Sequence, residues 1–327
     1  MMQSITKEKE NVGFNSKKRL GRFLLDNSTV LVFICMLIVA AFLSDRFYSA
    51  DNITNVLRQS VPLGLAALGL LFVILTGGID LSIGSIMAFV SVVVGLMIPD
   101  IGLWPAIVAG VGMVTLMGTF SGMLVTWFNI APFIATLAMM TIARGLALII
   151  SNGQPVFIDN DAFVNFGTGY LFGIPLPVYI LLGFAILCQL VYKNSVFGRL
   201  VISIGSNEMA TRFAGIRVNV YKLAVYAISA FGCGIAGIIS ATRTGVGSPV
   251  LSIGFELDVI AAVVVGGASL AGGRGNVVNT LIGVFILSMI SNLMNLMNIS
   301  GYNQQVVKGV IIIIAVMVES IKSRARA

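Results

Sequence analysis

Histidine is absent from the 327-residue sequence, and charged residues make up only 10% of it. The absence of histidine excludes His-based catalytic triads, His-ligated metals and His proton relays. The sequence also lacks a GxxxxGK[ST] motif, so it has no P-loop to bind a nucleotide. Its three cysteines lie within apolar runs and have no zinc or redox spacing, which is typical of buried small hydrophobic residues. The chain is therefore predicted to hold no cofactor or metal of its own.

The shortage of charge points to a membrane. A soluble domain carries roughly 25% charged residues, whereas 57% of this chain is hydrophobic. Uncharged runs recur at about the 20-residue length that crosses a hydrocarbon core. We therefore predict an all-α polytopic membrane protein with about ten transmembrane helices. The predicted spans are 28–44, 61–76, 82–98, 104–128, 132–150, 177–192, 223–242, 256–270, 276–297 and 303–319.

The basic residues are distributed unevenly between the two sides of these spans. If the N-terminus is cytoplasmic, 15 of the 20 lysines and arginines fall in inside segments and three in outside loops. This bias follows the positive-inside rule, so both termini are predicted to be cytoplasmic. The predicted organisation is a basic tail at 1–27, a transmembrane domain at 28–319 with a cytoplasmic loop at 193–222, and a basic tail at 320–327. The net charge of +7 then reflects orientation in an anionic membrane, and no nucleic-acid partner is implied.

The segment LTGGIDLSIG, residues 75–84, places two glycines and one aspartate between long apolar runs. Irregular backbone at membrane depth survives only where it is buried in protein or lines a wet cavity. Gly77 and Gly78 permit dihedral angles closed to other residues, and Asp80 could cap the following helix. Two interpretations stay open: a short cytoplasmic hairpin with a solvated Asp80, or a discontinuous helix whose end faces a transport path.

The same pattern occurs a second time. GGxxL at Gly77 to Leu81 recurs at Gly266 to Leu270, where Gly266 and Gly267 again follow a short apolar run. A break that recurs once in each half is expected of transporter folds built from two related halves. The sequence therefore predicts two related halves with broken helices at the GGxxL motifs.

The longest inside loop contains SNEMATRFAG, which is predicted to form a short amphipathic helix. Ser206 or Asn207 can cap the start of this helix, Met209 and Phe213 share one face, and Gly215 suits the position after the helix end. The helix could lie on the inner leaflet or insert its apolar edge into a groove on a soluble partner. The residues of this candidate site are Ser206, Asn207, Glu208, Met209, Ala210, Thr211, Arg212, Phe213, Ala214 and Gly215.

Other polar residues lie inside the predicted spans. Arg144 is expected to snorkel to the outer headgroups or to pair with an acid such as Glu256 or Asp258, and substrate contact is the less favoured role. Asn292, Asn295 and Asn298 repeat at every third position, which suits either helix–helix hydrogen bonding or the lining of a path. The outside loop from Ser151 to Pro177 carries Asp159 and Asp161, and it could receive a binding protein or simply connect two spans.

Four stretches together carry a family resemblance: LTGGIDLSIGS, FIATLAMMTIARGLALIISNGQP, GSNEMATRFAGIRVN and GFELDVIAAVVVGGASLAGGRGNVVNTLIG. The chain resembles a permease subunit of the monosaccharide ABC importers, the ribose-type group, from about Val61 to Ala315. The resemblance implies a bacterial inner-membrane protein that pairs with a second permease subunit, identical or different. It also implies cytoplasmic ATPase subunits that bind ATP and Mg, and an extracytoplasmic sugar-binding protein. Residues 206–215 resemble the coupling helix that docks into the ATPase, with Met209 in an EMA run where the family often has EAA.

Competing functions are a self-sufficient ion-coupled transporter and a membrane enzyme. The first would need a coupling-ion site, for which Asp80 and Asp258 are the plausible carboxylates. The second is weakest, because the polar loops contain no catalytic constellation. A branched-chain amino-acid permease is the alternative within the importer class.

Overall fold

The structure, a computed structural model, describes the backbone of residues 28–326 and the side chains of residues 29–314, 316 and 317. The predicted basic tail at 1–27 lies outside the described residues. The chain forms helices joined by short connections and a few two-residue strands. In order they are α1 (Ser28–Leu43), α2 (Ala50–Leu75), α3 (Ile83–Ile101), α4 (Leu103–Thr126), α5 (Pro132–Ile150), β1 (Val156–Phe157), α6 (Asp161–Thr168), β2 (Tyr170–Leu171), β3 (Ile174–Pro175), α7 (Leu176–Asn194), α8 (Val196–Ser206), α9 (Glu208–Phe213), α10 (Val218–Thr244), β4 (Val246–Gly247), α11 (Phe255–Val265), α12 (Val277–Leu296) and α13 (Gly301–Arg326).

Seven of the described helices are long and apolar enough to cross a membrane, namely α2, α3, α4, α5, α7, α10 and α12. Most residues of α2 and α3 are buried in the protein, whereas only about a third or less of α4, α5 and α7 is buried. Exposed positions on the outer helices carry large apolar side chains, such as Trp104 and Leu116. Exposure of such side chains is unfavourable in water and favourable in lipid. The prediction of an α-helical, polytopic membrane protein is confirmed. The number of crossings stays a prediction.

Helix α10 is the centre of the bundle. It has 27 residues, which gives a length of about 40 Å at 1.5 Å per residue, and it packs against α2, α3 and α4. Glycines permit the close approach of these helices. A Cβ atom added at Gly69 of α2 would lie 2.9 Å from Ser229 Cα, and one at Gly237 would lie 2.6 Å from the Met87 carbonyl oxygen. Small residues serve this purpose in membranes, where helix association depends on close van der Waals packing.

The span predicted at 256–270 is wrong in its extent. Helix α11 covers only Phe255–Val265, 11 residues, or about 16 Å, which is too short to cross a hydrocarbon core of about 30 Å. The apolar run continues beyond Val265, but Gly267 takes a left-handed conformation with φ +85° and the helix ends. Between α10 and α11 the chain forms only turns and the short strand β4.

The loop at 151–177, which is predicted to lie outside, is more ordered than a plain connector. It contains helix α6, whose N-cap Asn160 accepts a hydrogen bond from Phe163 N–H at 3.0 Å. Strand β1 pairs antiparallel with β4, and β2 forms a hairpin with β3. The β1–β4 pair ties this loop to the segment that precedes α11.

At the other end of the chain, α13 continues through Arg326, so the backbone shows no boundary at the predicted tail of 320–327.

Two buried amides join α2 to α12. Asn52 Nδ2 donates to Asn292 Oδ1 at 2.9 Å, and Asn292 Nδ2 donates to Asn52 Oδ1 at 2.8 Å. Both residues are buried. Asn292 thus makes a helix–helix contact, one of its two predicted uses. Asn295 is exposed and accepts from Gln304 Nε2 at 2.8 Å, while Asn298 lies beyond the end of α12 with φ +55°.

Replacement of either amide should destabilise the protein, because the other amide stays buried and loses two hydrogen bonds. We expect Asn52→Ala and Asn292→Ala each to lower the free energy of unfolding by about 1–3 kcal/mol. The double variant should lose less than the sum, with a coupling energy of about 0.6–2 kcal/mol. Chemical unfolding of the four proteins in detergent measures this coupling. Strictly additive losses would mean that the two side chains do not interact.

Candidate functional site

Helix α9 begins where the sequence predicts a cap. Asn207 is the N-cap, and its Oδ1 accepts a hydrogen bond from Ala210 N–H at 2.9 Å. The alternative cap, Ser206, instead donates its hydroxyl to the Ile202 carbonyl of α8 at 2.9 Å. Because α8 ends at Ser206 and α9 starts at Glu208, a single residue turns the chain from one helix into the next. The first two residues of the candidate site therefore belong to the junction between two helices.

The end of α9 is also capped as predicted. Gly215 has φ +81°, and its N–H donates to the Arg212 carbonyl at 3.0 Å. The next N–H, of Ile216, donates to the Thr211 carbonyl at 3.4 Å. This pair of bonds is the Schellman arrangement, in which a left-handed glycine closes a helix. A helix of only six residues is thus capped at both ends.

Polar contacts fix α9 to the membrane domain. Thr211 is buried, and its hydroxyl lies 3.0 Å from that of Ser203 on α8. Glu208 Oε1 accepts from Arg212 at 2.9 Å, and its Oε2 accepts from Lys222 of α10. Partial burial would by itself raise the pKa of Glu208, but the hydrogen bonds from Lys222 and Arg212 outweigh it and lower the pKa below its ordinary value. Glu208 is therefore an anion held between two cations at neutral pH.

A further bond reaches α4. Arg212 Nη2 donates to Asn219 Oδ1 at 3.0 Å, and Asn219 Nδ2 donates to the carbonyl of Thr126, the last residue of α4, at 3.2 Å. The polar face of α9 is thus engaged with α4, α8 and α10.

The opposite face of α9 is apolar and uncovered. The Phe213 side chain is 85% exposed and that of Met209 is 63% exposed. They lie one turn apart, and Ala210 and Ala214 beside them are exposed as well. A well-anchored helix therefore presents a small apolar edge away from the protein. This geometry is what insertion into a groove on another protein requires.

Helix α8 connects this edge to the two GGxxL motifs. A Cβ atom added at Gly205 would lie 1.8 Å from the Leu75 carbonyl oxygen and 2.4 Å from Gly273 N. Gly273 N–H donates to the same Leu75 carbonyl at 2.9 Å. A Cβ at Gly272 would lie 2.9 Å from Gly77 N. We call these five residues, Leu75, Gly77, Gly205, Gly272 and Gly273, the glycine junction, because three separate backbone segments touch there without intervening side chains.

The two GGxxL motifs form the same local structure. Gly77 (φ +77°) and Gly267 (φ +85°) each follow a helix end. In both, the N–H of this glycine and that of the next residue donate to carbonyls of the last helical turn, at 2.8–3.2 Å. The structural equivalent of Gly77 is therefore Gly267, one residue further along than the Gly266 that the GGxxL alignment matches to it.

Asp80 lies inside the protein. The residue is only 1% exposed. Its Oδ1 accepts hydrogen bonds from Ser82 N–H at 3.0 Å and from Ser82 Oγ at 2.6 Å. Its Oδ2 accepts a hydrogen bond from Ser229 Oγ at 2.8 Å. The interpretation with a solvated Asp80 is therefore wrong. Ser82 is the N-cap position of α3, and Asp80 holds it from two residues earlier. Ser229 lies 11 residues after the start of α10 at Val218, which is about 16 Å along that helix.

Arg144 does not hydrogen-bond to either predicted carboxylate. Its Nη1 donates to the carbonyls of Pro249 and Leu251, at 2.6 and 2.8 Å. Asp258 is instead paired with Lys308 of α13 at 2.6 Å. The charge of Arg144 is thus directed at the irregular backbone before α11.

The sequence reasoning missed several of these partners. Ser229 and Asn52 hydrogen-bond to two residues that it did single out, Asp80 and Asn292. Gly205 contacts Leu75, two residues before the first GGxxL motif. A serine or glycine within an apolar helix has no distinguishing motif, because its partner lies far away in the chain. Tyr226 on α10 is buried beside Asp80, and sequence spacing alone does not predict this position either.

These features define a polytopic membrane protein in which the short helix α9 exposes an apolar edge. The family model for "Branched-chain amino acid transport system / permease component" matches residues 52–316. The chain therefore belongs to this family of permease components, which are the non-catalytic membrane subunits of their transporters.

Curated relatives match along nearly the whole chain. A ribose import permease protein of Bacillus subtilis is 41% identical over 326 residues, 98% of this chain and 99% of that protein. A ribose import permease protein of Haemophilus influenzae is 38% identical over 310 residues, 93% and 96% of the two chains. An L-arabinose transport system permease protein of Escherichia coli is 36% identical over 307 residues, 94% of each chain. No solved structure matches. The resemblance to ribose-type permeases is confirmed.

Proposed function

We propose that this chain is the permease subunit of an ATP-driven importer that carries a monosaccharide, most simply a pentose, into a bacterial cell. The observation that carries this proposal is the similarity, over more than nine-tenths of the chain, to permeases named for ribose and arabinose. A branched-chain amino acid is the alternative substrate, since the family description names it. The named sugar permeases favour the monosaccharide.

The proposed topology has ten crossings and two cytoplasmic termini. To the seven helices described above it adds α1, α13 and the combination of α11 with the irregular residues before it. The positive-inside bias supports this orientation. So does the contact of α8 with Leu75 and Gly273, because it brings the end of α2 and the loop after α11 to the side of the predicted cytoplasmic loop at 193–222. In this arrangement the chain turns at the glycines on the cytoplasmic side, and Asp80 then lies deeper, about halfway along α10.

Helix α9 is the proposed coupling helix. Its Met209 and Phe213 would insert into a groove on a cytoplasmic ATPase, which would bind ATP and Mg and perform the hydrolysis. A second permease subunit, identical or different, would complete the path. An extracytoplasmic binding protein would deliver the sugar to the outer face, where the loop at 151–177 exposes Phe172 at the tip of its hairpin.

The glycine junction supplies a physical route for coupling. The polar contacts of α9 attach it to α8, and Gly205 of α8 touches the end of α2 and the loop after α11 directly through backbone atoms. A displacement of α9 by the ATPase would therefore reach both motifs at once. From Gly77 it would pass to Asp80 and the start of α3 within a few residues.

An ion-coupled mechanism has less support from the contacts of its two candidate carboxylates. Both Asp80 oxygens accept hydrogen bonds from serines, and Asp258 is paired with Lys308. A coupling cation would have to displace these partners.

The proposed function is tested by reconstitution in liposomes. We expect no accumulation of ribose by this chain alone, with or without a proton or sodium gradient. Accumulation should require the ATPase, the binding protein and ATP together. Uphill uptake by the isolated chain on an ion gradient would contradict the proposal, and transport of leucine in place of ribose by the full complex would select the alternative substrate.

The docking role of α9 predicts a loss of ATPase binding when its apolar edge is changed. Phe213→Ala removes the most exposed aromatic ring of the helix, and Met209→Asp places a charge in the contact. We expect each to weaken co-purification of the ATPase at least tenfold while membrane insertion is unchanged. Phe172→Ala is the matched control, since that phenylalanine is 91% exposed on the other predicted side of the membrane. Unchanged ATPase binding in both α9 variants would show that another surface docks the ATPase.

A further inference from the structure

We propose that residues 248–254, together with Arg144, form part of the wall of a water-filled passage through which the sugar crosses the middle of the membrane. These residues join β4 to α11, and we call them the descending segment. The inference rests on the proposed function and deepens it, because it names the part of the chain that the solute would meet.

The descending segment lies beside the inner half of α3. Ser248 N–H donates to Ser91 Oγ, near the centre of α3, at 3.2 Å. Four residues later, the Ser252 carbonyl oxygen would lie 2.3 Å from a Cβ atom added at Gly84, the second residue of α3. The segment therefore runs along α3 from its middle to its start. Because α3 begins next to Asp80, about halfway along α10, this irregular backbone lies at membrane depth.

Several backbone groups of the segment have no protein partner. Leu251 N–H donates to the Ser248 carbonyl at 3.1 Å. Among the described residues, however, the N–H groups of Val250, Ser252 and Ile253 donate to no acceptor. Val250 and Ile253 are 56% and 71% exposed. Unpaired backbone groups in contact with hydrocarbon are strongly disfavoured, and irregular backbone at this depth persists only inside protein or beside a wet cavity.

Arg144 adds a charge to the same face. It is half-buried on α5, and two of its hydrogen bonds hold the carbonyls of Pro249 and Leu251. Its remaining guanidinium N–H groups donate to no acceptor among the described residues, although a guanidinium carries five donors. Glu256 supplies carboxylate oxygens nearby, since its Oε2 would lie 2.8 Å from a Cβ atom at Gly84. Charged groups within membranes face the protein interior or a water-filled cavity.

This mixture of groups suits a neutral polyhydroxyl solute. Free N–H donors, guanidinium donors, serine hydroxyls and carboxylate oxygens occur within one short stretch, and each can bond to a sugar hydroxyl or to water. Exposed apolar side chains such as Val250 and Ile253 lie among them, which matches the mainly apolar lining of small-molecule sites with a few polar groups. Lipid satisfies none of the polar groups, and this is why we assign the face to the passage.

Thiol accessibility tests the assignment in the complete complex of permease, ATPase and binding protein in liposomes. In a background with Cys35, Cys188 and Cys233 replaced by alanine, Ser252→Cys and Ile253→Cys are treated with a membrane-impermeant methanethiosulfonate. Ile186→Cys is the matched control, because Ile186 is 60% exposed on α7 among apolar neighbours. We expect both test cysteines to react at least tenfold faster than the control, and ribose to slow their reaction at least threefold when binding protein and ATP are present.

A second variant tests Arg144 as a positioning residue. In Arg144→Gln, protection by ribose should be lost while the thiol at position 252 stays reactive, and Arg144→Lys should restore part of the protection. Unchanged protection in Arg144→Gln would contradict this role.

Three results would contradict the assignment of the descending segment to the passage. Reaction no faster than that of Ile186→Cys would place the segment against lipid. Disulfide formation between two copies at position 253 would place it in a contact between permease subunits. Rapid reaction without protection by ribose would show that the sugar does not pass the segment. Failure of the proposed function is distinct, since it would show as absent ribose uptake by the unmodified complex whatever the thiols do.

Discussion

The contact between Gly205 and the Leu75 carbonyl fixes how closely α8 can approach the end of α2. Two backbones approach so closely that an added Cβ atom would lie 1.8 Å from the oxygen, and Gly273 donates to that same oxygen. Because no side chain intervenes, there is no flexible group to absorb a displacement. Protein interiors transmit strain under such conditions. Helix α8, which leads into α9, is thus in direct backbone contact with the end of α2 and with the loop after α11.

Polar groups within the bundle are few, and most have defined partners. Asp80 is held by two serines, Asn52 and Asn292 exchange hydrogen bonds, and Asp258 is paired with Lys308. Each pairing joins elements distant in the chain, so polar contacts fix which helices are neighbours while glycines set how closely they approach. The descending segment differs from these pairs, because Val250 N–H, Ser252 N–H and Ile253 N–H donate to no acceptor among the described residues and the Arg144 guanidinium is only partly hydrogen-bonded.

The sequence predicted the features governed by local rules. The caps of α9 at Asn207 and Gly215 follow from side-chain chemistry and left-handed glycine, and the apolar spans follow from length and composition. Features that depend on distant contacts were missed or mistaken. The predicted extent of the span at 256–270 was wrong, because apolar composition does not distinguish a helix from irregular backbone packed inside protein. The choice between a hairpin with a solvated Asp80 and a discontinuous helix was open, because Ser229, which hydrogen-bonds to Asp80, lies 149 residues away. The one-residue offset between Gly77 and Gly267 appears only from their dihedral angles.

The most direct test of coupling through the glycine junction is the ratio of ATP hydrolysed to sugar transported in the Gly205→Ala complex. The added methyl group must separate α8 from Leu75, whereas Gly145→Ala on α5 adds a methyl group with no neighbour within 4 Å. We expect the Gly205→Ala complex to assemble with its ATPase and to hydrolyse ATP, but to take up ribose at least tenfold more slowly, with the Gly145→Ala complex unchanged. Assembly with a normal ratio of ATP to ribose in Gly205→Ala would contradict a coupling route through this contact.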